Sequence, residues 1–496
     1  MKKRVFHISK KDSCYQEASF TVPPLWNSLS FSLEMPEQAA RLCYLLIFDS
    51  HGRLRFHHQV GYGDWKYQLG IDGMSTSLGG IPGEIEPGEW KAAICCFSEY
   101  IDQYLGDAEF DIVVRLSDKF IPVEEPVGER LWCRGDYDFE QIFQQKEGWF
   151  CGDFHTHTRL SDGKETIRCA MKKAAKMGMD YYVPTEHNVV HTGWPETDIM
   201  ILPGVEITTC LGHFNIFGCI SAPSQLLDIM KDAGEEDIWK KMKYTIRECE
   251  KNGWLWSINH PFLHIWKWLY YDLPLKHLHL MEIVNDPTYG YAPEANDEAV
   301  SFLDYLWKHG YVVYGLGGSD SHNLESERYE GAAEPSIPGD PATLVYMNGL
   351  SPDHLMQGVA AGHVIVCRYV RAEVSFYYHG RQYLPGDRIE TGNAAENPLY
   401  CKGTVTNLPE EAELFLVDSH GNRKMPWSTK SGKIGEIDLE IPWGQGDWQW
   451  TRLEIRDPEG KFLAYINPVY RGEHRSGCKT FGDAIKGWQK HREKKV

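Results

Sequence analysis

The sequence predicts a mixed α/β chain: a central domain of parallel strands in a barrel-like arrangement, between two antiparallel β-sandwiches. Three observations lead there. Residues 1 to about 120 and 367 to 475 read as short strands broken by turn residues, whereas 149 to 366 alternates strands with amphipathic helices. At 496 residues the chain exceeds one ordinary core and, at roughly 150 residues per domain, has room for about three. Its 42% apolar and 24% charged residues are those of a packed globular protein rather than a disordered one.

In the first sandwich, 1–120, the strands are SLSFSLEM, ARLCYLLIFDSHGRLRF, GEWKAAICCF and FDIVVRL. Asp49-Ser50-His51-Gly52 between apolar runs is hairpin chemistry, with glycine supplying a positive φ. Residues 121–148 are a charged, linker-like stretch. In ETIRCAMKKAAKMGMD, Ile167, Ala170, Met171, Ala174 and Met177 recur at three and four, which predicts a helix closed by Gly178. Strands follow at DYYVPT, DIMILPG, EITTC, HFNIFG, WLWSIN, LMEIVN and YVVYGLGG, with helices at about 235 to 252 and 294 to 309. The second sandwich, 367–475, contains LFLVDSHGN, which echoes LLIFDSHGR and reads as the same hairpin turn used twice. Residues 476–496 form a basic tail, read as a solvated helix end.

The net charge of −19 argues against a long nucleic-acid track held by counterion release and leaves a small-molecule substrate as the expected partner. No run of 18 or more uncharged apolar residues predicts a membrane span, and the N-terminal lysines and arginine are not followed by an apolar stretch. Thirteen cysteines without a C-x-x-C read as free thiols in a reducing cytoplasm, the expected location.

The chemistry concentrates in 149 to 366. In an extended strand, residues two apart share a face, so His155 and His157 can reach a single ion while Thr156 points away. Asp162 follows before Gly163, where a sharp turn can bring its carboxylate back over the strand end. The competing reading makes Asp162 and Glu165 a helix capping box with no metal role. A second pair, His277 and His279, lacks an accompanying carboxylate and is expected to be structural. Further histidines and acids fall at or just past predicted strand ends: Glu186-His187-Asn188, Glu206 and His213, His260-Pro261, and Ser319-Asp320-Ser321-His322. In barrels of parallel strands those ends converge on one mouth. Pro261 biases His260 toward an extended conformation.

These ordered motifs, H-x-H-x4-D, T-E-H-N, G-x-E-x-T followed by a histidine, N-H-P and G-G-S-D-S-H, resemble those of the PHP (polymerase and histidinol phosphatase) superfamily of metal-dependent hydrolases, and look most like its carbaryl-hydrolase-type branch. The resemblance covers about 149 to 366 and implies a distorted parallel (β/α)7 barrel. Carried over position by position, it implies nine metal ligands: His155, His157, Asp162, His187, Glu206, His213, His260, Asp320 and His322. It implies two or three divalent ions. His155, His157, Glu206 and Asp320 would surround one, Glu206, His213 and His260 a second, and Asp162, His187 and His322 the remaining position. Glu186 stands where many relatives have Asp and is expected to orient rather than ligate. Six imidazoles and three carboxylates suit Zn, Mn or Fe better than Ca or Mg.

Such ions lower the pKa of a bridging water and clamp substrate oxygens, so the expected enzyme is a metal-dependent hydrolase, a phosphoesterase on a small substrate. Asp320 or a neighbouring histidine is the expected acceptor of the water proton, and His191 or His264 the expected donor to the leaving group. The aromatic run HPFLHIWKWLYYDLP supports an alternative, hydrolysis of an aryl carbamate, ester or amide; the same run also reads as a helix packed on a sandwich. A non-catalytic, metal-containing binding scaffold is the reading from a different class.

Overall fold

The computed structural model describes residues 2–9, 14–96, 105–106, 108–231, 237–389, 397–430, 433–444, 446–473 and 477–494. The chain is a mixed α/β protein with sandwich-like antiparallel sheets at both ends. In the N-terminal part, β1 (Lys2–Ile8), β2 (Tyr15–Val22), β3 (Leu29–Glu34), β4 (Cys43–Phe48), β5 (Leu54–Gln59), β6 (Lys66–Leu69), β7 (Gly88–Cys96) and β8 (Phe110–Ser117) form two four-stranded sheets, ordered β1-β8-β3-β6 and β2-β7-β4-β5. Alternation decides the inner face: Phe110, Ile112, Val114 and Leu116 of β8 point inward and pack with Phe20, Phe31, Leu45 and Trp90. Strand β4, CYLLIF, is apolar on both faces; Leu45 and Ile47 enter this core, and Tyr44 and Leu46 enter the core of the central part. The predicted hairpin forms, with the Asp49 carboxylate accepting from the His51 and Arg53 amides at 3.0 and 2.9 Å and Gly52 at φ 76°. Its echo recurs: Asp418 accepts from the His420 amide at 2.7 Å.

The central strands are β9 (Gly148–Thr156), β10 (Tyr181–Pro184), β11 (Met200–Ile201), β12 (Gly204–Thr209), β13 (Gly212–Phe217), β14 (Leu255–Ile258), β15 (Leu280–Asn285), β16 (Tyr314–Gly318), β17 (Ala342–Met347) and β18 (Val364–Cys367). They do not lie in one continuous parallel ladder. β9, β10 and β11 pair in parallel, and β12 to β16 form a second sheet in which β14, β15 and β16 pair in parallel and β13 alone runs against the rest, antiparallel to both β12 and β14. The expectation of a parallel domain fails at β17, which pairs antiparallel with both β9 and β18, and at β13. Only Cys210 and Leu211 separate it from β12, and two residues close an antiparallel hairpin, whereas a parallel crossover needs a dozen or so. The two sheets touch through single parallel bridges, Thr156 to Ser321 and His187 to Glu206, without a continuous ladder closing the ring among the described residues.

The predicted helix at Ile167–Lys176 forms, but its N-cap is Thr166, whose side chain accepts from the Cys169 amide, so the capping box at Asp162 does not form. The helix expected at about 235 to 252 runs Ile238–Asn252; residues 235 and 236 lie outside the described residues. The helix expected at about 294 to 309 is Ala292–Lys308.

The C-terminal strands are β19 (Arg371–Tyr378), β20 (Arg381–Tyr383), β21 (Leu399–Thr406), β22 (Glu413–Asp418), β23 (Gly421–Met425), β24 (Ser428–Lys430), β25 (Ile434–Ile441), β26 (Trp448–Arg456) and β27 (Phe462–Gly472). One layer, β20-β19-β21-β25-β24, packs through Phe376, Leu399 and Leu439 on a second layer carrying Leu414, Leu453 and Ile466. That second layer continues into the central part, since β18 pairs with β27, so hydrogen bonding crosses the expected boundary at 366. The basic tail is more than a solvated helix end. In the helix Phe481–Glu493, Phe481, Ala484 and Trp488 are buried, and Trp488 and Phe481 lie against Phe302 at 5.6 and 5.0 Å between ring centres. No helix among the described residues is long and apolar enough to cross a membrane.

Candidate metal centre

The nine residues singled out in the sequence meet in one place. Strand β9 delivers His155 and, one residue beyond its end, His157, with ring centres 5.2 Å apart. Asp153 fixes this strand end by accepting from the amides of His155, Ser319 and Gly339 at 3.0, 3.1 and 2.7 Å, tying β9 to the segment that carries Asp320 and His322. The turn after His157 is held by Glu186, which accepts from the Thr158 amide at 3.0 Å, from the Thr158 and Ser161 hydroxyls, and pairs with His191 Nε2 at 2.9 Å. Glu186 therefore orients the turn and is not part of the ligand cluster. Gly163 is needed for close approach rather than for positive φ, because a Cβ there would lie 2.6 Å from the His157 carbonyl.

Asp162 swings back as expected, its Oδ1 3.2 Å from His322 Nε2 and 3.5 Å from His187 Nε2. Glu206, in the middle of β12 rather than at its end, is the hub. Its Oε1 lies 3.1 Å from His213 Nδ1, 3.4 Å from His155 Nε2 and 3.6 Å from His260 Nε2, and its Oε2 lies 2.7 Å from His187 Nδ1 and 3.5 Å from His157 Nε2. The antiparallel turn at Gly212 is what returns His213 to the same mouth. Asp320 Oδ1 lies 3.0 Å from His157 Nε2 and 3.2 Å from His155 Nε2. His260 has φ 27°, so the extended conformation expected before Pro261 is not adopted; its amide is drawn onto Glu282 Oε2 at 2.8 Å.

Four overlapping groups of these atoms are close enough to hold an ion: His157, Asp162, His187 and His322; His155, His157 and Glu206; His155, His260 and Asp320; and His187, Glu206 and His213. In these groups His157 also falls with Asp162 and His322, His187 with Glu206 and His213, and His260 with His155 and Asp320. Among the described residues, His155 Nε2, His157 Nε2, Asp162 Oδ1, Glu206 Oε2, His213 Nε2 and Asp320 Oδ1 are buried without a hydrogen-bond partner. Buried polar atoms left this way are costly unless something else binds them. Ligand atoms around one tetrahedral ion at roughly 2.1 Å sit about 3.4 Å apart, the range in which these atoms face one another. The residues therefore fit divalent ions.

The electrostatics agree. Burial opposes charge on every group here, yet neighbouring histidines hold Glu206 and Asp320 well below the ordinary carboxylate range. Against the same burial, the acids pull His155 well above its usual value and His322 to about 10, while burial drives His157 and His213 down to about 4. Without an ion the acids are balanced by protons on imidazoles; a cation would displace them.

A cavity of about 340 Å³ opens above the cluster, with Asp162, His187, His213, His260, Asp320 and His322 in its wall. Two proposed proton donors are not there. His191 is buried behind the turn, bonded to Glu186 and edge-on to Trp194 at 4.7 Å; His264 is exposed and stacked on Tyr291 at 4.7 Å. Neither lines the cavity. Leu263 and Trp266 of the aromatic run do line it, while Phe262 packs on Trp488 at 5.1 Å. That run contains a single 3-10 turn, His264–Trp266, where a packed helix was one reading. His277 lies elsewhere, paired with Glu250.

Sequence reasoning missed three contributors. Glu282, the one charge in the buried strand LMEIVN, lies 3.0 Å from His155 Nδ1. Asp286 lines the cavity, hydrogen-bonded by Thr288 and Tyr329 at 2.7 Å each, and burial pushes its carboxyl up to about 7. The N-terminal sandwich supplies Arg41, Tyr44, Gln59 and Tyr62 to the cavity wall. A charge inside an apolar strand was a readable signal for Glu282; the others depend on packing between parts distant in sequence. No protein-family model matches the chain, and no curated protein matches it.

Proposed function

We propose that this protein is a metal-dependent hydrolase of the PHP type acting on a phosphate ester of a small molecule. The observation that carries the reading is the convergence of nine histidines and acids, with buried lone pairs aimed at one another at ligand–ligand spacing. Reading β9, β10 and β12 to β16 as a distorted (β/α)7 barrel is supported by the two bridges that join the sheets end to end. Divalent ions held there would supply Lewis-acid activation of a water and neutralise charge on substrate oxygens.

The chain's own residues then have separable tasks. Asp320, ionised across the working pH range, accepts the proton of the attacking water. Asp286 takes the donor role that His191 and His264 cannot reach, since it lines the cavity and holds its proton up to about pH 7. Trp266 and Leu263 exclude solvent from one wall. The choice of a phosphoester is supported by the overlapping ligand groups, which could hold more than one ion; such ions would supply charge neutralisation to both the entering and the leaving oxygen. The aromatic wall favours a second reading, hydrolysis of an aryl carbamate, ester or amide. Nitrophenyl phosphate, bis-nitrophenyl phosphate, nitrophenyl acetate and naphthyl carbamate, each with Mn or Zn, separate the readings. Metal retained with no turnover of any of them would instead identify a binding scaffold.

A further inference from the structure

The floor of the cavity is the candidate metal centre, but its rim belongs partly to the N-terminal sandwich. The Gln59 backbone N–H donates to the Leu160 carbonyl at 3.1 Å, Tyr44 donates its hydroxyl to the His187 carbonyl at 3.1 Å, and the Gly61 backbone abuts Ser161. This docking places Arg41, Tyr62 and Lys164 side by side, with the Arg41 guanidinium 5.9 Å and the Lys164 ammonium 5.4 Å from the Tyr62 ring centre. Lys164 is neutralised by Glu327, both carboxylate oxygens at 2.8 Å. Arg41 has no carboxylate within ion-pair distance among the described residues, and its side chain is exposed into the rim. The same cavity is lined by the aromatic side chains of Trp266, Tyr289 and Tyr329.

We propose that the substrate carries a second oxyanion, remote from the scissile bond and joined to it by a flat apolar body, and that Arg41 of the N-terminal sandwich binds this remote group. A guanidinium offers a planar fork matched to carboxylate or phosphate oxygens. The cavity, at the small end of ligand sites, lets one compact molecule touch floor and rim together. The proposal rests on the hydrolase reading only for what the floor holds. Arg41 is a specificity residue, and the sandwich that carries it completes the site.

The test uses the Mn-loaded full chain with Arg41→Gln and Arg41→Lys, and reads binding by calorimetry rather than turnover. The probes are phenylphosphonate, 4-carboxyphenylphosphonate and benzene-1,4-diphosphonate. The unmodified protein is expected to bind one or both of the probes with a second acidic group roughly tenfold more tightly than phenylphosphonate, and the preferred probe tells a carboxylate from a phosphate. Arg41→Gln should abolish the preference while leaving phenylphosphonate within about twofold, and Arg41→Lys should restore part of it. Equal binding of all three probes, a preference that survives Arg41→Gln, or no binding of any probe overturns the proposal. Failure to hydrolyse any ester would sink the hydrolase reading while leaving this preference measurable, so the two failures are told apart.

Discussion

Replacing Glu282 by glutamine should disable the centre although Glu282 belongs to none of the ion-sized groups. Its Oε1 faces His155 Nδ1 at 3.0 Å, and its Oε2 accepts from the His260 amide at 2.8 Å and from Asn285 Nδ2 at 3.1 Å. A carboxylate satisfies all three donors; an amide cannot, because one end becomes an NH2. If that NH2 faces His155, the ring must carry its hydrogen on Nε2, the atom aimed at Glu206 and Asp320, and can no longer ligate through it. If it faces the other way, it opposes two donors in a buried site, at about 1–3 kcal/mol for each group left unpaired. Either orientation should weaken ion binding by roughly 10–100-fold, the usual effect of losing an outer partner of a ligating histidine. Competition against a chromophoric chelator, with elemental analysis of the purified variant, measures this. A folded Glu282→Gln protein that binds Mn or Zn within about twofold of the unmodified chain would refute the reasoning.

Three further outcomes follow from the geometry. With Asp286 as proton donor, kcat/KM should fall as pH rises through about 7, because the donor must be protonated; Asp286→Asn should remove that limb and lower the rate by roughly 10²–10⁴-fold, and a limb unchanged in the variant excludes the role. Gly61→Ala should lower turnover while the chain stays folded, since φ is 46° and the new Cβ would stand 2.4 Å from the Ser161 carbonyl oxygen, pushing the loop that carries Asp162; an unaffected rate would show that the two loops move independently. His57, buried in the sandwich beside His58, has its pKa lowered to about 3. Between that value and an unfolded value of about 6.5 the unfolded chain binds the extra proton, so this group's contribution is intact above the window and stability is lost as pH falls through it. From pH 7.0 to 5.5 the loss is about 1.3 kcal/mol, and urea unfolding of His57→Leu should show a pH slope shallower by that amount. Identical slopes would place His57 in contact with water.

What could be read in advance was local, and what could not was the work of chain segments far apart. His155, His157 and Asp162 announce themselves through spacing and a following turn, and the structure brings them to one site within a single loop's reach. His213 was harder, because its place depends on β13 running antiparallel to β12, and the signal was the mere two residues between them. His191 and His264 were placed by sequence proximity to the motifs, which says nothing of direction. The turn that aims His187 at the cluster aims His191 at Glu186 beneath it, and His264 leaves at φ 39° on the outer side. Arg41 and Tyr44 lie more than 100 residues from the first ligand, and no periodicity links them to it. Yet strand β4 carried a usable clue. A sandwich strand open to water on one side alternates, and CYLLIF does not, with five of its six residues buried. A strand apolar on both faces must be covered twice, so the N-terminal sheet had to have a second surface to pack on, and the chain offers it the domain that holds the site.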